Sequence, residues 1–194
     1  MSLFVFGLAA CSSFDASCVP APGADLQKCD FSDADLAGTD LAGANFAEAN
    51  LAGANLAGAE LSESNFRGAN LAGTILAGAT LLSANFTDAD LTDALVTNAL
   101  VGGANFKAAN LTGAKLNRAD LSSSNLYEAN FTDADLSTVD LRFADLRFAN
   151  LTRANLRFAI LNGANLNGAD LTKADLYGAD LEEATFDGAI GYDQ

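Results

Sequence analysis

The stretch LAGANFAEANLAGANLAGAE, residues 41–60, shows the pattern that decides the fold. A large apolar residue stands at every fifth position. A small residue, nearly always Ala, stands two positions before it, and usually Asn or Asp lies between them. The register runs without insertion from Leu26 to Phe186, and every large residue in it is Leu or Phe except Val96 and Val101. The repeating unit is therefore the pentapeptide A-(D/N)-L-x-x.

A period of five fits neither a straight helix nor a flat strand. On an α-helix each step of five residues turns the side chain by about 140°, so the large residues would spiral over every face. In a strand, side chains alternate with period two, so successive large residues would point to opposite faces. A chain that turns a corner every five residues avoids both conflicts, because each unit then points its large residue to one central axis.

The positions of Phe indicate how many units complete one turn of this coil. Five of the register Phe residues differ by multiples of 20, and the other two differ by 100; the two sets are Phe46, Phe66, Phe86, Phe106 and Phe186, and Phe31 with Phe131. This spacing predicts four pentapeptides per coil, with Phe stacked on Phe in adjacent coils. Thirty-three register positions then make about eight coils.

The fifth residue of the unit is often Gly, as at Gly43, Gly53 and Gly58. Gly suits the position of a type II turn that needs a positive φ. We expect units that end in another residue, such as Asp88 or Phe143, to use a different turn. The Asn or Asp beside the core can hydrogen-bond the backbone of an Asx turn, and Asn side chains that stack in successive coils can form amide ladders.

The repeat strongly resembles the pentapeptide-repeat family over residues 24–190. The resemblance implies an all-β fold, a right-handed four-sided parallel β-helix of about eight coils. Residues 1–23 would then form an apolar N-terminal segment with a cap or linker role, and residues 191–194 a C-terminal tail. The family has no single activity and no catalytic motif to transfer, so the resemblance implies a non-enzymatic structural or protein-interaction scaffold.

Charge and composition restrict the possible functions. The chain has 10 Lys and Arg against 25 Asp and Glu, a net charge of −15. Because basic contacts supply most of the affinity for nucleic acids, we expect no direct binding to DNA or RNA. The chain has no His, which excludes Ser-His-Asp and Cys-His catalysis and His-based metal sites. We expect no enzyme activity, no cofactor and no metal site.

The acidic surface has two interpretations. The first is solubility of a rod with a non-enzymatic interaction role. The alternative is a mimic of duplex DNA that binds a type II topoisomerase, as the resemblance to the quinolone-resistance branch of the family implies for gyrase. That alternative requires a cytoplasmic protein.

One coil, residues 141–160, departs from the pattern and is the candidate interaction surface. It reads LRFADLRFANLTRANLRFAI and contains four of the six Arg residues of the chain, with three Phe residues at outward positions. The candidate residues are Arg142, Phe143, Arg147, Phe148, Arg153, Arg157 and Phe158. Arg and aromatic residues are enriched at binding hot spots, which favours a partner that is acidic or a second copy of the rod.

A structural role for the same coil is also open. Gly163, Gly168 and Gly178 follow the three Phe residues by 20 positions, so each ring can cover bare Gly backbone in the next coil. The same spacing predicts an ion pair between Arg153 and Asp133 and a cation–π contact between Arg147 and Tyr127.

A second departure places apolar residues where Asn or Asp is usual. Ile75 and Leu95 are four pentapeptides apart and should stack, and Leu82 and Leu100 also point outward. These residues are either a patch for a partner or for dimerisation, or neutral variation in a sheet face. We expect a monomer or a weak homodimer.

The N-terminal residues leave the compartment open. Leu8-Ala9-Ala10-Cys11 resembles the lipobox of bacterial lipoproteins, which would make Cys11 a lipidation site and a membrane tether for an exported protein. The other interpretations are an apolar cap on the first coil and a disordered tail. Cys29 stands at the inward small position, and a disulfide with Cys18 would contribute about 2–3 kcal/mol in an oxidising compartment. The alternative is a cytoplasmic protein with free thiols.

Overall fold

The computed structural model describes residues 18–192. Within this range the chain contains no helix and no extended strand; its elements are single-residue β-bridges at every fifth position, separated by two-residue turns. The first bridge joins Asp25 to Asn45 and the last joins Asp170 to Ile190. No helix in the described range is long and apolar enough to cross a membrane. The predicted cap or linker role of residues 1–23 and the predicted lipidation of Cys11 concern positions that lie largely outside this range.

Every bridge is parallel and joins residues 20 positions apart. The chain therefore returns to the same side after four pentapeptides, and we call each such stretch of four pentapeptides a coil. The backbone bonds follow the same register: Phe66 donates its N–H to the carbonyl of Asn85 (2.7 Å), and Asn85 donates to the carbonyl of Ser64 (2.9 Å). Four columns of bridges run along the molecule, one on each side of the coil.

The interior consists of the register Leu, Phe and Val residues and the small residues that precede them. Nearly all of these side chains from Leu26 to Leu171 are buried. Phe46, Phe66, Phe86 and Phe106 stack with ring centroids 5.0, 4.9 and 4.6 Å apart and planes within 7° of parallel. The predicted stacking of Phe on Phe is confirmed for this column. Phe186 stacks instead on Tyr192, at 4.1 Å.

Three buried polar residues replace Ala at the small inward position. The hydroxyls of Ser64, Thr74 and Ser124 donate to main-chain carbonyls of the preceding coil at 2.9, 2.8 and 3.1 Å. Because each hydroxyl has a partner, burial leaves no unsatisfied donor, and the core tolerates the substitution.

The turns are more uniform than the sequence predicts. The fifth residue of the unit has a positive φ throughout, whether it is one of fourteen Gly residues or one of twenty other residues between Gly23 and Gly188. Asp88 and Phe143 both have a φ of 59°. The prediction that these turns have a different backbone conformation is therefore wrong for φ. A left-handed residue with a side chain costs about 1–2 kcal/mol locally, and the coil geometry outweighs this cost.

The Asn and Asp side chains beside the core satisfy the backbone and one another. Asn85 accepts a hydrogen bond from the Thr87 N–H at 3.1 Å, the bond of an Asx turn. Its amide donates to Asn65 at 3.1 Å, and Asn65 donates to Asn45 at 2.9 Å. These bonds continue the ladder from coil to coil, as the period of four pentapeptides predicts.

Candidate interaction surface

The coil of residues 141–160 presents three aromatic rings at its turns. Phe143, Phe148 and Phe158 are 65, 56 and 53 % exposed, far more than the buried Phe residues of the core. Each ring lies against the Gly at the equivalent position of the following coil. A Cβ added to Gly163 would meet ring carbons of Phe143 at 2.7 Å, and the other two Gly positions are as tight, at 2.6 Å. The predicted ring-over-glycine contact is therefore present on three corners of the rod.

The three Phe residues occupy a backbone conformation that bulky residues rarely adopt. Their φ angles are 59°, 59° and 57°, in the left-handed region that favours Gly. The ring carbons cover the neighbouring Gly backbone on one face, while more than half of each side chain stays open to solvent. The fold thus holds these rings at the surface against a local conformational preference.

Two of the Arg residues form ion pairs inside their own pentapeptide. Arg142 binds Asp140 through Nε (2.9 Å) and Nη2 (2.5 Å), and Arg147 binds Asp145 at 2.8 and 2.7 Å. Burial raises the pKa of Asp140, but the hydrogen bonds from Arg142 outweigh burial and hold that pKa below its usual value. The hydrogen bond from Arg147 likewise lowers the pKa of Asp145.

The pair at Arg142 also explains a like-charge contact in the ladder. Asp120 and Asp140 are bridged neighbours in one column, where two carboxylates would repel each other. The guanidinium of Arg142 pairs with Asp140, which raises the pKa of Arg142, and the charge of Asp120 raises it further. One cation therefore compensates both carboxylates.

The other two Arg residues bridge neighbouring coils. Arg153 binds Asp133 in the preceding coil at 2.6 and 2.5 Å, as its position four pentapeptides later predicts. Arg157 reaches Asp175 in the following coil at 2.9 Å. The hydrogen bond from Arg153 lowers the pKa of Asp133. Two hydrogen bonds lower the pKa of Asp175: the backbone N–H of Tyr177 has the larger effect and the side chain of Arg157 the smaller. All four Arg residues of the coil are thus ion-paired.

Two Tyr residues extend the aromatic surface into adjacent coils. The guanidinium of Arg147 lies 5.5 Å from the Tyr127 ring, the predicted cation–π contact, and Tyr127 meets Phe148 edge to face at 5.6 Å. Arg157 lies 4.6 Å from the ring of Tyr177, which meets Phe158 at 5.7 Å.

Sequence reasoning found some of these contacts and missed others. The period of four pentapeptides gave Arg153 with Asp133, Arg147 with Tyr127, and the rings over glycine. It did not predict the ion pairs inside the pentapeptides that contain D-L-R. In these units the Arg side chain folds back over the Asp that stands two positions before it. Tyr177, 64 % exposed, was also missed, although it stands four pentapeptides after Arg157 and belongs to the same corner.

The other predicted site residues are also placed. Ile75 and Leu95 are bridged neighbours, while Leu82 and Leu100 are 43 and 49 % exposed. Cys18 and Cys29 form a disulfide with Cα atoms 5.8 Å apart, and Cys29 is buried in the first coil. Between residues 18 and 192 there is no cluster of side chains that could hold a metal ion.

The five-residue repeat of this sequence matches a known protein family. A sequence model described as pentapeptide repeats matches in eight copies over residues 29–68, 64–101, 104–142 and 149–188. This chain belongs to the pentapeptide-repeat family. Members of the family are solenoid-like β-helix proteins that act in general as structural or interaction proteins. No curated protein matches the sequence.

Several solved structures of pentapeptide-repeat proteins are similar to this chain. HetL, described as involved in heterocyst differentiation regulation in the cyanobacterium Nostoc, is 32 % identical over 86 % of this chain and 88 % of its own, with a TM-score of 0.35. Rfr23 from the cyanobacterium Cyanothece is 34 % identical over 50 and 64 % of the two chains, with a TM-score of 0.43. The plasmid-mediated fluoroquinolone resistance protein QnrB1 is 21 % identical over 79 and 91 %, with a TM-score of 0.42.

Proposed function

We propose that this protein is a non-enzymatic interaction scaffold that binds a protein partner through the outward residues of the coil 141–160. The observation that carries the proposal is the set of three Phe rings held more than half exposed at left-handed turn positions. Gly is the commonest residue at these turns and would avoid the backbone cost. Seventeen other non-Gly residues share this backbone conformation, so the feature particular to these three corners is a large exposed aromatic side chain, a type enriched at protein interfaces.

The Arg residues contribute in two ways to this proposed site. Their ion pairs with Asp140, Asp145, Asp133 and Asp175 fix the guanidinium planes and neutralise the local acidic charge. A guanidinium has five N–H donors, and a bidentate pair uses only two of them. The remaining donors can bind carboxylate or carbonyl oxygens of a partner, while the rings contact its apolar side chains.

Site-specific photo-crosslinking in the native host tests the proposal. A photoreactive residue replaces Phe143, Phe148 or Phe158 in turn, and Ser83 serves as the matched control because it is the exposed left-handed residue of the same corner three coils before Phe143. We expect one protein to crosslink from the three Phe positions and not from position 83. Equal crosslinking from position 83, or none from any Phe position, would refute the proposed surface.

The alternative function, a DNA mimic that binds a type II topoisomerase, makes the opposite prediction. Inhibition of gyrase supercoiling by the purified rod should then depend on its Asp and Glu residues and be insensitive to Arg142, Arg147 and Arg157. No inhibition at any rod concentration would remove this alternative.

We further infer that the solenoid is a right-handed four-sided β-helix of about eight coils and that the protein is exported, as a periplasmic or membrane-tethered form. The resemblance to the family supports the first inference. The Leu8-Ala9-Ala10-Cys11 sequence and the pairing of Cys18 with Cys29 support the second. Mass spectrometry of the mature N-terminus from the native host tests export: a lipid-modified Cys11 is expected, and an intact Met1 would contradict it.

A further inference from the structure

We propose that the partner of this protein presents a Lys or Arg side chain to the side of the rod that carries Ile160. The apolar stem of that side chain lies on Ile160 and Phe158, and its charged end pairs with Asp180 and Glu182. This inference rests on the proposed function, because Phe158 belongs to both surfaces. It goes further by naming the chemistry of the partner, which is a basic segment with apolar neighbours rather than an acidic one.

Ile160 occupies a position where the repeat usually has Asn or Asp. It is bridged to Asp140 in the preceding coil and to Asp180 in the following coil, and it is 38 % exposed. An Ile side chain has no polar group that could bind either carboxylate. An exposed apolar residue therefore stands between two acidic residues on one side of the rod.

An aromatic ring borders the same side of the rod. Phe158 stands two positions before Ile160, and its ring extends along the rod over Gly178, which stands two positions before Asp180. The exposed Tyr177 meets this ring edge to face at 5.7 Å. The apolar surface thus extends from the coil of Ile160 to the coil of Asp180.

The unpaired charge beside this apolar surface is negative. The four Arg residues of the coil 141–160 already pair with Asp residues of the rod. Asp180 and Glu182 are exposed, and neither forms a salt bridge within residues 18–192. One carboxylate oxygen of Asp180, Oδ1, accepts a hydrogen bond from the Glu182 N–H at 3.2 Å. The other oxygen, Oδ2, is available to a cation of another molecule.

Lys and Arg match this combination of an apolar surface and unpaired carboxylates. Their hydrocarbon stems pack on apolar side chains while the charged end stays in contact with polar groups. Ile160 and Asp180 are bridged neighbours in adjacent coils, about 4.8 Å apart, a step that such a stem can span. The cation can also contact the face of the Phe158 ring. An acidic side chain at the same place would be repelled by Asp180 and Glu182.

Titration of the isotope-labelled full chain with a blocked peptide, followed by amide chemical shifts, tests the inference. The probe is the pentapeptide Leu-Lys-Leu-Lys-Leu, and the matched probe has Glu in place of both Lys residues. We expect the Lys peptide at about 10 mM to shift the amide signals of Ile160, Gly178 and Asp180, and the Glu peptide to leave them unchanged. Ile160→Asn, which restores the usual residue type of this position, should abolish the shifts. Asp180→Asn should weaken binding about threefold.

Asp40→Asn is the matched control for Asp180→Asn. Asp40 is exposed, stands on the same side of the rod at the same position of the unit, and accepts an equivalent hydrogen bond from the Ala42 N–H at 3.2 Å. This variant should bind the Lys peptide as the wild type does, and melting temperatures show that each variant is folded.

Four results would overturn the inference: no shifts with the Lys peptide, equal shifts with the Glu peptide, shifts that survive Ile160→Asn, or equal losses from Asp40→Asn and Asp180→Asn. Each of them leaves the proposed function standing if photo-crosslinking from the Phe positions captures a protein. The absence of any such crosslink refutes the proposed function, whatever the peptides do.

Discussion

Phe residues in two regions of this rod show that the position within the pentapeptide, not the residue type, decides what a side chain does. At the register position, Phe46, Phe66 and Phe86 are fully buried and stack almost in parallel. At the turn position, Phe143 and Phe148 have most of their surface in water. The inner set fills the axis of the coil, and the outer set covers glycine backbone and faces solvent.

The energetics of the two sets differ accordingly. A buried Phe contributes its apolar surface and its contacts with two stacked neighbours. An outer Phe loses part of that gain to its left-handed backbone, which costs about 1–2 kcal/mol in a residue with a side chain. The inner rings therefore stabilise the fold, while the outer rings are close to neutral for folding and available for binding.

The largest expected effect concerns an inner ring. Phe66→Ala should leave a void between Phe46 and Phe86 and lower the free energy of unfolding by about 3–5 kcal/mol. The same substitution at Phe148 should cost less than about 1 kcal/mol, because the ring is half exposed and Ala relieves crowding at the turn. Urea denaturation of the two variants measures both values. Equal losses would show that the distinction between the two positions is wrong.

The disulfide between Cys18 and Cys29 should stabilise the first coil of the interior. Reduction should lower the free energy of unfolding by about 2–3 kcal/mol, because the cross-link restricts the unfolded chain. Replacement of Cys18 by Ser and Cys29 by Ala should have the same effect, since Ala is the usual residue at the position of Cys29. Thermal unfolding with and without reductant measures this. If the reductant lowers the melting temperature of that variant as much as it lowers that of the wild type, the cross-link is not the cause.

The Asn ladder lies between the interior and the exterior of the rod. The loss of one Asn side chain should therefore lower the free energy of unfolding by an intermediate amount. Asn85→Ala removes the bonds that Asn85 accepts from the N–H and the hydroxyl of Thr87, the bond that it donates to Asn65 and a long bond that it accepts from Asn105 at 3.5 Å, at about 1 kcal/mol each or less. A loss of about 1–2 kcal/mol in chemical denaturation is expected. Ser137→Ala, whose hydroxyl makes no side-chain hydrogen bond within residues 18–192, serves as the control and should be nearly neutral. A neutral Asn85→Ala would mean that water replaces the ladder.

The ion pairs of the outer surface should contribute the least to the free energy of unfolding. Their contribution should be visible as a dependence of the melting temperature on pH. Hydrogen bonds from Arg142 and Arg147 hold the pKa values of Asp140 and Asp145 below the usual 3.8. Their stabilisation is therefore complete above pH 3.8 and is lost as the pH falls through the lowered values. Melting temperatures measured from about pH 2 to about pH 6 should show a drop that is smaller in the double Arg→Ser variant. An equal drop in both proteins would assign it to other carboxylates.

The sequence predicts much of this fold because the repeat is strict. Residues one coil apart are neighbours, so the Phe stack, the Asn ladder and the pair of Arg153 with Asp133 follow from counting. Contacts that depend on how a side chain leaves a turn do not follow in this way. The pairing of Arg142 with Asp140 needs the turn to bring a residue two positions later over the carboxylate.

The conformation of the turns is the other feature that the sequence did not predict. A left-handed Phe or Asp is unfavourable by itself, so the local residue type indicated a different turn. Hydrogen bonds to neighbouring coils, such as that of the Phe143 N–H to Asn162 at 3.0 Å, impose one geometry on the corners. Backbone hydrogen bonds between coils form at each corner, and together they outweigh the conformational preference of a single turn residue.

The most direct test of the proposed surface is the amount of partner that co-purifies, without crosslinking, with a variant in which Phe143, Phe148 and Phe158 are all changed to Ser, measured beside its melting temperature. We expect co-purification of the partner identified by crosslinking to be lost while the melting temperature falls by less than about 5 °C, since only exposed rings are removed. An unchanged partner yield together with a steep fall in melting temperature would contradict it, because the outer rings would then serve the fold and not binding.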